Sequence, residues 1–553
     1  MPHVFKRSLW TLSLVLTLVV GITLGTFLPW DDDFFELRKN FQIFGAAYEE
    51  LVTGYVEPLD AERLMRVGLD AMLSDLDPYT TFIDEADNTD LRILTRGQYG
   101  GVGLRVEKRG GKVTVVAPIE GASGYKQGVR AGDILLRVDD QSTDGLSLKD
   151  VRTLLRGEPG TTITVEVERE GMPNTMVFTL TREKVRLQNV THRSFVSEGI
   201  GYVKLERFTR HAGPEVSDAV KALQQEGTLD GLVLDLRGNP GGLLDAAVDV
   251  SELFVPRGSV IVSTRGRTAD TEHVYRSERM PLLRDVPLVV LVSDLSASAS
   301  EIVAGAVQDL DRGVVMGTTT YGKGLVQVVR SLPHNTSLKM TTAKYYTPSG
   351  RSIQSIDYTR GDTSAVPDSL LRTFETANGR TVRDRHGIEP DVIVRPPEPS
   401  PLEAALQRRA AFFFFANHYA ARRDTLPETF AVSSEDVEAF QTWLQREALR
   451  YPTTAERAVA SLEERFATTE DFAEVRDEVD ALQAALQRER EEDFREHETA
   501  LKHRLEEEIL ARFATESQQV AASLQHDPQV EAAVDVLLEN ARYTSLLTPS
   551  ASR

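Results

Sequence analysis

The spacing of apolar residues changes several times along the chain, and each spacing predicts a different kind of element. From Leu9 to about Trp30 the chain contains no charged residue and is mostly apolar. At about 1.5 Å per residue, a helix of this length can cross a bilayer. Residues 31–93 instead place apolar side chains three and four positions apart, which predicts short amphipathic helices; examples are Met65, Leu69, Met72 and Leu76. We therefore predict a transmembrane helix over residues 1–30 and a helical segment over residues 31–93.

The pattern becomes that of strands between residues 94 and 185. Apolar and polar residues alternate near 163–167 and 176–180, a further strand pattern covers 113–117, and glycines separate these runs. Such alternation predicts half-buried strands joined by tight connections. One helical pattern covers residues 147–155. This region is predicted to be a β-rich domain with one helix.

Longer apolar runs alternate with helical patterns between residues 186 and 395. A helix is predicted at 214–225, and the runs predicted to be buried strands are 201–205, 231–236, 287–292 and 313–317. Repeats of strand, helix and strand predict an α/β core, in which ligands usually bind at the strand ends.

The last region, residues 396–553, has the pattern of surface helices. Apolar residues step by three and four between Phe472 and Leu486, among many Glu and Arg residues. We interpret the region as a helical extension that packs against the rest of the chain or associates with a second copy. Homo-oligomerisation is left open by this pattern.

Composition narrows the classes of function. The chain has 553 residues, which is too long for one hydrophobic core and indicates several domains. Its 84 acidic and 63 basic residues give a net charge of -21, which argues against a nucleic-acid partner. The absence of cysteine excludes disulfides, thiolate metal ligands and cysteine nucleophiles.

Charges on both sides of the N-terminal apolar run predict its orientation. Lys6 and Arg7 precede the run, and three aspartates, residues 31–33, follow it directly. Since basic residues stay on the cytoplasmic side, the rest of the chain is predicted on the exported side, periplasmic or extracellular. No cleavage site of the small-x-small type stands out in this run, so the prediction is a single-pass anchor in the cell membrane.

Two glycine-rich runs distinguish the β-rich domain. Residues 101–104 read Gly-Val-Gly-Leu, and residues 128–135 read Gly-Val-Arg-Ala-Gly-Asp-Ile-Leu. Glycines let the N–H groups of a turn point at an anion, and the following strand can offer an open edge to a peptide, although hairpin turns alone also use glycine. With both runs present, the region resembles a PDZ domain of bacterial proteases. The resemblance implies that Val102, Gly103 and Leu104 bind the carboxylate of a peptide tail.

A cluster of serines follows the predicted strand at 287–292. Residues 296–301 read Ser-Ala-Ser-Ala-Ser-Glu. Serines at the start of a helix are most often N-caps. A hydroxyl at such a turn nevertheless lies near positive backbone dipoles, and the next N–H group can face an oxyanion. Because no histidine stands in a hydrolase motif, a lysine is the better candidate for a base.

Lys323 lies in a glycine-rich turn, residues 317–324, that nearly matches a phosphate-binding P-loop. Gly324 replaces the hydroxyl residue that would bind a metal, and residues 325–329 alternate as a strand where a helix should follow. The turn therefore argues against an NTPase. On these residues alone, Lys323 could also be a surface lysine in a turn, without a catalytic role.

The serine cluster at 296–301 and the lysine turn at 317–324 together resemble those of the C-terminal (tail-specific) processing peptidases. These are Ser-Lys serine proteases with an inserted PDZ domain. The similarity covers roughly residues 35–395 and extends to four further motifs: Leu-Asp-Pro at 76–78, Arg-Gly-Asn-Pro-Gly-Gly at 237–242, Tyr-Thr-Pro-Ser-Gly-Arg at 346–351 and Gly-Ile-Glu-Pro-Asp at 387–391. The resemblance implies Ser298 as nucleophile, Lys323 as general base and Gln327 as the residue that orients the lysine.

The resemblance also implies an oxyanion hole and the absence of cofactors. The backbone N–H groups of Gly241 or Gly242, together with that of Ala299, match the oxyanion donors. Arg156 is the candidate for a regulatory arginine of the PDZ domain. The family's chemistry requires no cofactor and no metal.

The expected protein is thus a multidomain α/β protein. It has an α/β serine-protease core (186–395) with an inserted β-rich PDZ domain (94–185), an N-terminal transmembrane helix and a helical C-terminal extension. Its implied function is that of a serine endopeptidase that cleaves exported proteins selected by apolar C-terminal tails. Since a lysine acts as a base only when neutral, the fold must lower the pKa of Lys323 from about 10.4 by burial. The alternative, an inactive membrane-anchored PDZ scaffold, would require loss of the Ser-Lys pair, and both residues are present.

Overall fold

A computed structural model describes residues 32–85, 93, 95, 97–356, 358, 369, 371–423, 425–427, 430–447, 454–466 and 472–549. The apolar run predicted to be a transmembrane helix lies outside these residues. Within the described ranges, no helix has the length and apolar character needed to cross a membrane. The chain divides into two compact units, residues 1–82 and residues 83–553.

Helices dominate the described part of the first unit, as the spacing of its apolar residues predicts. They are α1 (Asp32–Gly54) and α2 (Ala61–Ser74). The Asp60 side chain accepts a backbone N–H from the first turn of α2 and so caps that helix. The Tyr48 hydroxyl donates to the carbonyl oxygen of Ala61 at 2.6 Å, which joins the two helices.

The short strand β1 (Thr81–Ile83) lies within the segment 31–93 that was predicted to be helical, so that prediction is wrong for these three residues, which are of β-branched and aromatic types that favour strands. A β-rich domain follows β1. Its elements are β2 (Gln98–Gly101), β3 (Leu104–Arg109), β4 (Lys112–Pro118), α3 (Ser123–Lys126), β5 (Ile134–Val138), β6 (Gln141–Ser142), α4 (Leu148–Leu155), β7 (Thr162–Glu168), β8 (Met176–Thr181) and β9 (Glu183–Arg186). Strands β3, β4, β5, β7 and β8 form one sheet in that order. Because β2 and β9 pair with each other, the chain enters and leaves the domain side by side, as an inserted domain does. The strands predicted at 113–117, 163–167 and 176–180 and the helix predicted at 147–155 are confirmed.

The α/β core is built on a sheet in the order β10, β11, β12, β15, β16 and β21, with only β10 antiparallel to its neighbour. Its elements are β10 (Val190–Ser197), β11 (Ile200–Leu205), α5 (Ala212–Glu226), β12 (Gly231–Asp235), α6 (Leu244–Ser251), β13 (Val260–Gly266), β14 (His273–Arg276), β15 (Leu288–Val292), α7 (Ala299–Asp309), β16 (Val314–Gly317), β17 (Leu325–Ser331), β18 (Ser337–Tyr346), β19 (Thr373–Glu375), β20 (Thr381–Arg383) and β21 (Val392–Ile393). Strand β17 pairs with β18, β18 with β13, and β13 with β14.

Both faces of the core sheet are buried, which explains why its central strands are apolar without a break. Leu232 and Leu234 of β12 pack on one face, in the cluster that contains helices α5, α6 and α7. Val233, between them, packs on the opposite face. The period of two along the strand thus assigns alternate residues to two separate clusters.

The C-terminal region is helical, as predicted. Its helices are α8 (Pro401–Arg408), α9 (Ala411–Ala420), α10 (Ser434–Arg446), α11 (Thr454–Phe466), α12 (Phe472–Glu496), α13 (Glu498–Phe513), α14 (Glu516–Ser523), α15 (Pro528–Leu538) and α16 (Asn540–Leu546). Phe412, Phe415 and Phe440 are buried together with Leu501 and Leu505, so helices α9, α10 and α13 share one core.

Helices α15 and α16 pack on the sheet of the α/β core. Val530, Ala533 and Val536 of α15 are buried against Val233 and neighbouring residues of the sheet. The hydroxyl of Tyr543, on α16, accepts the Leu288 N–H at 3.0 Å. The last part of the extension therefore completes the core by covering one face of its sheet, which the position of the motifs between 186 and 395 does not predict.

Candidate active site

Three loops of the core meet at one edge of its sheet, because the parallel strands β12, β15 and β16 all end there. The loop after β12 carries Gly241 and Gly242, the loop after β15 carries Ser298, and the loop after β16 carries Lys323. Residues separated by many positions in sequence are thus brought to one place by the topology of the sheet.

Ser298 occupies a strained turn directly before α7. Its backbone has φ 56° and ψ -110°, outside the regions that residues with a side chain favour. Such a conformation typically costs about 1–3 kcal/mol and persists where surrounding structure enforces it. The side chain of Ser298 is partly exposed, whereas Ala297 and Ala299 beside it are buried. A sharp strand-to-helix turn that exposes a hydroxyl is the geometry used to present a nucleophile.

The other two serines of the cluster have structural hydrogen bonds. Ser296 is fully buried, and its hydroxyl donates to the Leu236 carbonyl oxygen at 2.8 Å. Ser300 is fully buried too, and its hydroxyl donates to the Asn239 carbonyl oxygen at 2.9 Å. Both hydroxyls attach the serine turn to the loop that follows β12. Among the three serines, Ser298 is therefore the one whose side chain is partly exposed to the cavity.

Glu301 joins the loop of the serine to the loop of the lysine. Its fully buried carboxylate accepts the N–H of Ser298 at 2.8 Å and that of Lys323 at 2.9 Å. It also accepts the Gly322 N–H at 2.7 Å and the Thr320 hydroxyl at 2.6 Å. Burial raises the pKa of Glu301, and these donated hydrogen bonds act in the opposite direction. Since all four partners donate, the arrangement fits the carboxylate form.

Tyr345, on β18, makes a second bridge between the same loops. Its side chain is buried, and its hydroxyl lies 3.1 Å from the carbonyl oxygen of Ser298 and within hydrogen-bond distance of the carbonyl oxygen of Lys323. Sequence analysis assigned no role to Glu301 or Tyr345. The available signals were the place of Glu301 within the serine motif and that of Tyr345 directly before the motif at 346–351.

Asn239 fixes the loop after β12 to the serine turn. Its buried side chain accepts the Gly241 N–H at 2.9 Å and donates to the Leu205 carbonyl oxygen at 2.7 Å. Its own carbonyl oxygen accepts the Ala297 N–H at 3.1 Å and the hydroxyl of Ser300. The distance between this loop and Ser298 is therefore set by several direct hydrogen bonds.

The two candidate glycines of the oxyanion hole differ in their surroundings. Gly241 has φ 97°, and a Cβ atom on it would lie 2.9 Å from both the Ala299 nitrogen and the Ser298 Cβ. No side chain fits there, so glycine lets the loop approach Ser298 closely. Because the Gly241 N–H is donated to Asn239, the N–H groups of Gly242 and Ala299 are the better candidates to bind an oxyanion.

Gln327 lies on β17, four residues after Lys323. Its Nε2 donates to the Thr341 Oγ1 at 3.3 Å. Lys323 is partly buried, and both side chains line the same cavity. The structure therefore brings Gln327 to the site, and its orientation of the lysine stays a prediction.

A cavity of about 1210 Å³ contains the candidate residues. Gly241, Gly242, Ser298, Lys323 and Gln327 all line it. Other walls come from the β-rich domain, through residues 117–120 and 128–133, and from the C-terminal helices, through residues 511–517. Three parts of the chain thus enclose the space in which a substrate would meet Ser298.

Direct contacts hold the β-rich domain and the C-terminal helices together around this cavity. Arg105 of β3 and Glu516 of α14 form an ion pair at 3.2 Å. The Arg109 guanidinium lies 4.1 Å from the centre of the Phe413 ring, and Arg512 lies 4.2 Å from it. The Arg109 contact places the tip of the β3–β4 hairpin on α9, and the Arg512 contact joins α13 to α9.

The candidate tail-binding residues lie at the start of β3. The side chains of Val102 and Leu104 are buried in the domain core, so only their backbone groups can face a ligand. Gly103 has φ 71°, and its carbonyl oxygen accepts the Ile119 N–H at 2.7 Å. Within the described sheet, β3 is an edge strand paired with β4. An open edge beside a glycine turn fits the binding of an extended peptide.

Arg156, the candidate regulatory residue, follows α4 directly. Its guanidinium lies 5.6 Å from the centre of the Tyr99 ring. Gly101 and Arg156 also form an isolated β-bridge. The structure thus places Arg156 beside the glycine turn of the β-rich domain.

Three parts of the chain match models of known protein families. Residues 199–361 match the family model of peptidase family S41, residues 114–169 match a PDZ domain, and residues 402–537 match the C-terminal helical domain of probable PDZ-proteases. The carboxy-terminal-processing protease of Bartonella bacilliformis is 38% identical over 324 residues, which cover 58% of this chain and 74% of that protein. The carboxy-terminal processing protease CtpA of Bacillus subtilis is 29% identical and covers 63% of this chain and 75% of its own. Among solved structures, the photosystem II D1 C-terminal processing protease is 32% identical over 63% of this chain and 85% of its own, with a TM-score of 0.36.

Proposed function

This chain belongs to the carboxy-terminal-processing proteases of peptidase family S41, and on that premise we propose how its active site works. The protein is a serine-type peptidase. Ser298 is its nucleophile, and Lys323 is its general base. The observation that carries this assignment is the strained turn of Ser298. Glu301 joins this turn to the loop of Lys323, and both residues line the same cavity.

The reaction follows from the positions of these groups. Neutral Lys323 takes the proton of the Ser298 hydroxyl as its oxygen attacks the carbonyl carbon of a peptide bond. The N–H groups of Gly242 and Ala299 bind the oxyanion that forms, and one such donor is typically worth about 3 kcal/mol of transition-state stabilisation. The protonated lysine then gives its proton to the leaving amine, and water hydrolyses the acyl-enzyme. Gln327, which is uncharged, orients Lys323 without favouring its charged form.

The PDZ domain selects the substrate by its C-terminal tail. An incoming tail extends the sheet beside β3, and its carboxylate is bound by backbone N–H groups of the turn formed by Val102, Gly103 and Leu104. The glycines in this turn and the edge position of β3 support this proposal. Substrates are therefore proteins or peptides with a free, apolar C-terminus.

Removing the carboxylate of the tail is expected to weaken binding by about tenfold or more, because charge-assisted hydrogen bonds to it are lost. The measurement is the Kd of labelled peptides on the full chain carrying Ser298→Ala, which prevents cleavage. One peptide is compared as the free acid, as the amide and with a charged last residue. Equal affinity of the acid and amide forms would exclude recognition of the carboxylate by this turn.

The N-terminal apolar run anchors the chain in the cell membrane, with the catalytic domains on the exported side. Its support is the uncharged run after Lys6 and Arg7, followed at once by three aspartates. After expression in bacteria, the full chain is expected in the membrane pellet after an alkaline carbonate wash, and a variant that lacks residues 1–30 in the soluble fraction. Recovery of the full chain in the carbonate supernatant would contradict an anchor.

A further inference from the structure

Arg237 lies near the start of the loop after β12, which carries the proposed oxyanion donor Gly242. Buried charged groups hold the side chain of Arg237. Asp235, the last residue of β12, is fully buried and accepts the Arg237 Nη2 at 2.7 Å, its Nε at 3.0 Å and its backbone N–H at 2.8 Å. Burial alone would raise the pKa of Asp235, but Arg237 and Lys204 outweigh it and lower that pKa to about 2. Asp235 is therefore a permanent anion at neutral pH and fixes one side of the guanidinium.

The other side of the guanidinium is held from the far end of the chain. Arg237 Nη1 lies 2.7 Å from Oδ2 of Asp527 and donates to Oε1 of Gln529 at 2.8 Å. Asp527 precedes α15, and the side-chain amide of Gln529 donates to the Val394 carbonyl oxygen at 2.5 Å. The Asp527 side chain is mostly buried, at 19% exposure. Two carboxylates and an amide thus enclose a guanidinium whose own exposure is 16%.

Movement of Arg237 would be transmitted to the oxyanion loop over very few residues. Arg237 is followed by Gly238 and then by Asn239, whose hydrogen bonds fix Gly241 and the turn of Ser298. Gly242 follows within the same loop. Because the guanidinium of Arg237 is bound on both sides, it fixes the position of the first residues of this loop.

We propose that Asp527, assisted by Gln529, is a positioning residue that acts through Arg237 to hold the oxyanion loop in its reactive geometry. The C-terminal helical region then belongs to the active site as well as to the fold. This inference rests on the proposed function, since it concerns the oxyanion hole that serves Ser298.

Replacing Asp527 by Asn tests the inference. Asn is as good an N-cap as Asp, so helix α15 keeps the cap that Asp527 provides to the N–H groups of Gln529 and Val530, while the charge facing Arg237 is lost. We expect kcat to fall by about tenfold with KM changed less than twofold, since small misplacements of catalytic groups cost that much or more. Asp527→Glu, which keeps the charge, should recover part of kcat. The substrate is a fluorogenic unstructured peptide with a free C-terminus.

The matched control is Asp535→Asn, an exposed aspartate on the same helix, which should leave kcat and the unfolding temperature unchanged. Combining Asp527→Asn with Arg237→Gln should lower kcat no further than Arg237→Gln alone, because Asp527 acts through that arginine. If the Arg237 variant does not fold, the Asn and Glu variants at position 527 decide the question by themselves.

Three results would overturn the inference. The first is a wild-type kcat for Asp527→Asn. The second is a double variant whose kcat is lowered by the product of the factors found for Asp527→Asn and Arg237→Gln alone. The third is a loss of activity that is fully explained by a loss of folded protein. The Ser298→Ala variant distinguishes a failure of the positioning inference from a failure of the proposed function. An inactive Ser298→Ala with a wild-type Asp527→Asn would refute only the positioning role, whereas an active Ser298→Ala would refute the proposed active site.

Discussion

Replacing Ser298 by Ala is expected to abolish peptide hydrolysis, lowering kcat by a factor on the order of 10⁴ or more, while the protein stays folded. No other group on the serine turn can take over the attack, because the hydroxyls of Ser296 and Ser300 are buried and donated to backbone carbonyl oxygens. The substitution also removes only one oxygen from a partly exposed side chain. The measurement is steady-state hydrolysis of an unstructured peptide, with circular dichroism and thermal unfolding on the same samples.

Ser296→Ala and Ser300→Ala are the controls within the same motif. Each removes a buried hydrogen bond and leaves a carbonyl oxygen with one partner fewer, which should cost about 1–3 kcal/mol of stability. Both variants should keep measurable turnover at a temperature where they are folded. Hydrolysis at the wild-type rate by Ser298→Ala, or full inactivation of a folded Ser296→Ala protein, would show that the nucleophile was misassigned.

Much of the architecture could be predicted from the pattern of apolar residues. The central strands of the core sheet are short apolar runs because both of their faces are buried. In β12, Leu232 and Leu234 pack in one cluster and Val233, between them, packs in the other. The serine motif could be placed at a strand end for the same reason. These elements are local, so a window of ten residues carries the signal that defines them.

The contacts that join distant segments could not be predicted in this way. The role of Glu301 depends on three N–H groups and one hydroxyl that converge on a single carboxylate, and two of those N–H groups lie in the loop after β16. A buried glutamate three residues after a serine looks the same in sequence as an ordinary helix cap. Only the fold identifies it as the link between the Ser298 turn and the Lys323 loop.

The choice between Gly241 and Gly242 depends on a similar long-range feature. Sequence places two adjacent glycines at the oxyanion site, and each could supply a backbone donor. The Asn239 side chain takes the N–H of Gly241, and the missing Cβ of Gly241 leaves room for Ser298 and Ala299. The first glycine is thus needed for close approach of the loop, and the second is the one that we propose as the oxyanion donor.

The C-terminal helices show most clearly which contacts cannot be predicted from the sequence pattern. The amphipathic pattern of residues 396–553 predicts helices but does not say which surface they cover. Helix α15 packs on the core sheet, and its cap residue Asp527 reaches Arg237, 290 positions earlier in the chain. Periodicity reveals that a helix has an apolar face, whereas the identity of its partner depends on topology.

Replacing Lys323 by Arg is expected to inactivate the enzyme as completely as replacing it by Ala. Arginine keeps the positive charge and much of the reach of the side chain, yet its guanidinium cannot be deprotonated at any pH at which the protein is folded. A general base must be able to lose its proton before it accepts that of Ser298, so the arginine variant lacks a base. A lysine that only stabilised the oxyanion by its charge would leave the arginine variant partly active. The two roles therefore predict opposite results for one substitution.

The experiment compares kcat/KM of Lys323→Arg, Lys323→Ala and the wild-type protein on the same unstructured peptide over a range of pH. Wild-type activity should rise with pH as Lys323 loses its proton, and neither variant should recover activity anywhere in the range. Lys339→Arg is the matched control, because Lys339 lines the same cavity and should tolerate arginine without loss of turnover. Thermal unfolding must place both arginine variants within a few degrees of the wild-type protein, so that an inactive Lys323→Arg reports chemistry rather than misfolding. Substantial hydrolysis by Lys323→Arg would remove general-base catalysis by this lysine, and the proton of Ser298 would then have to go to another group that lines the cavity.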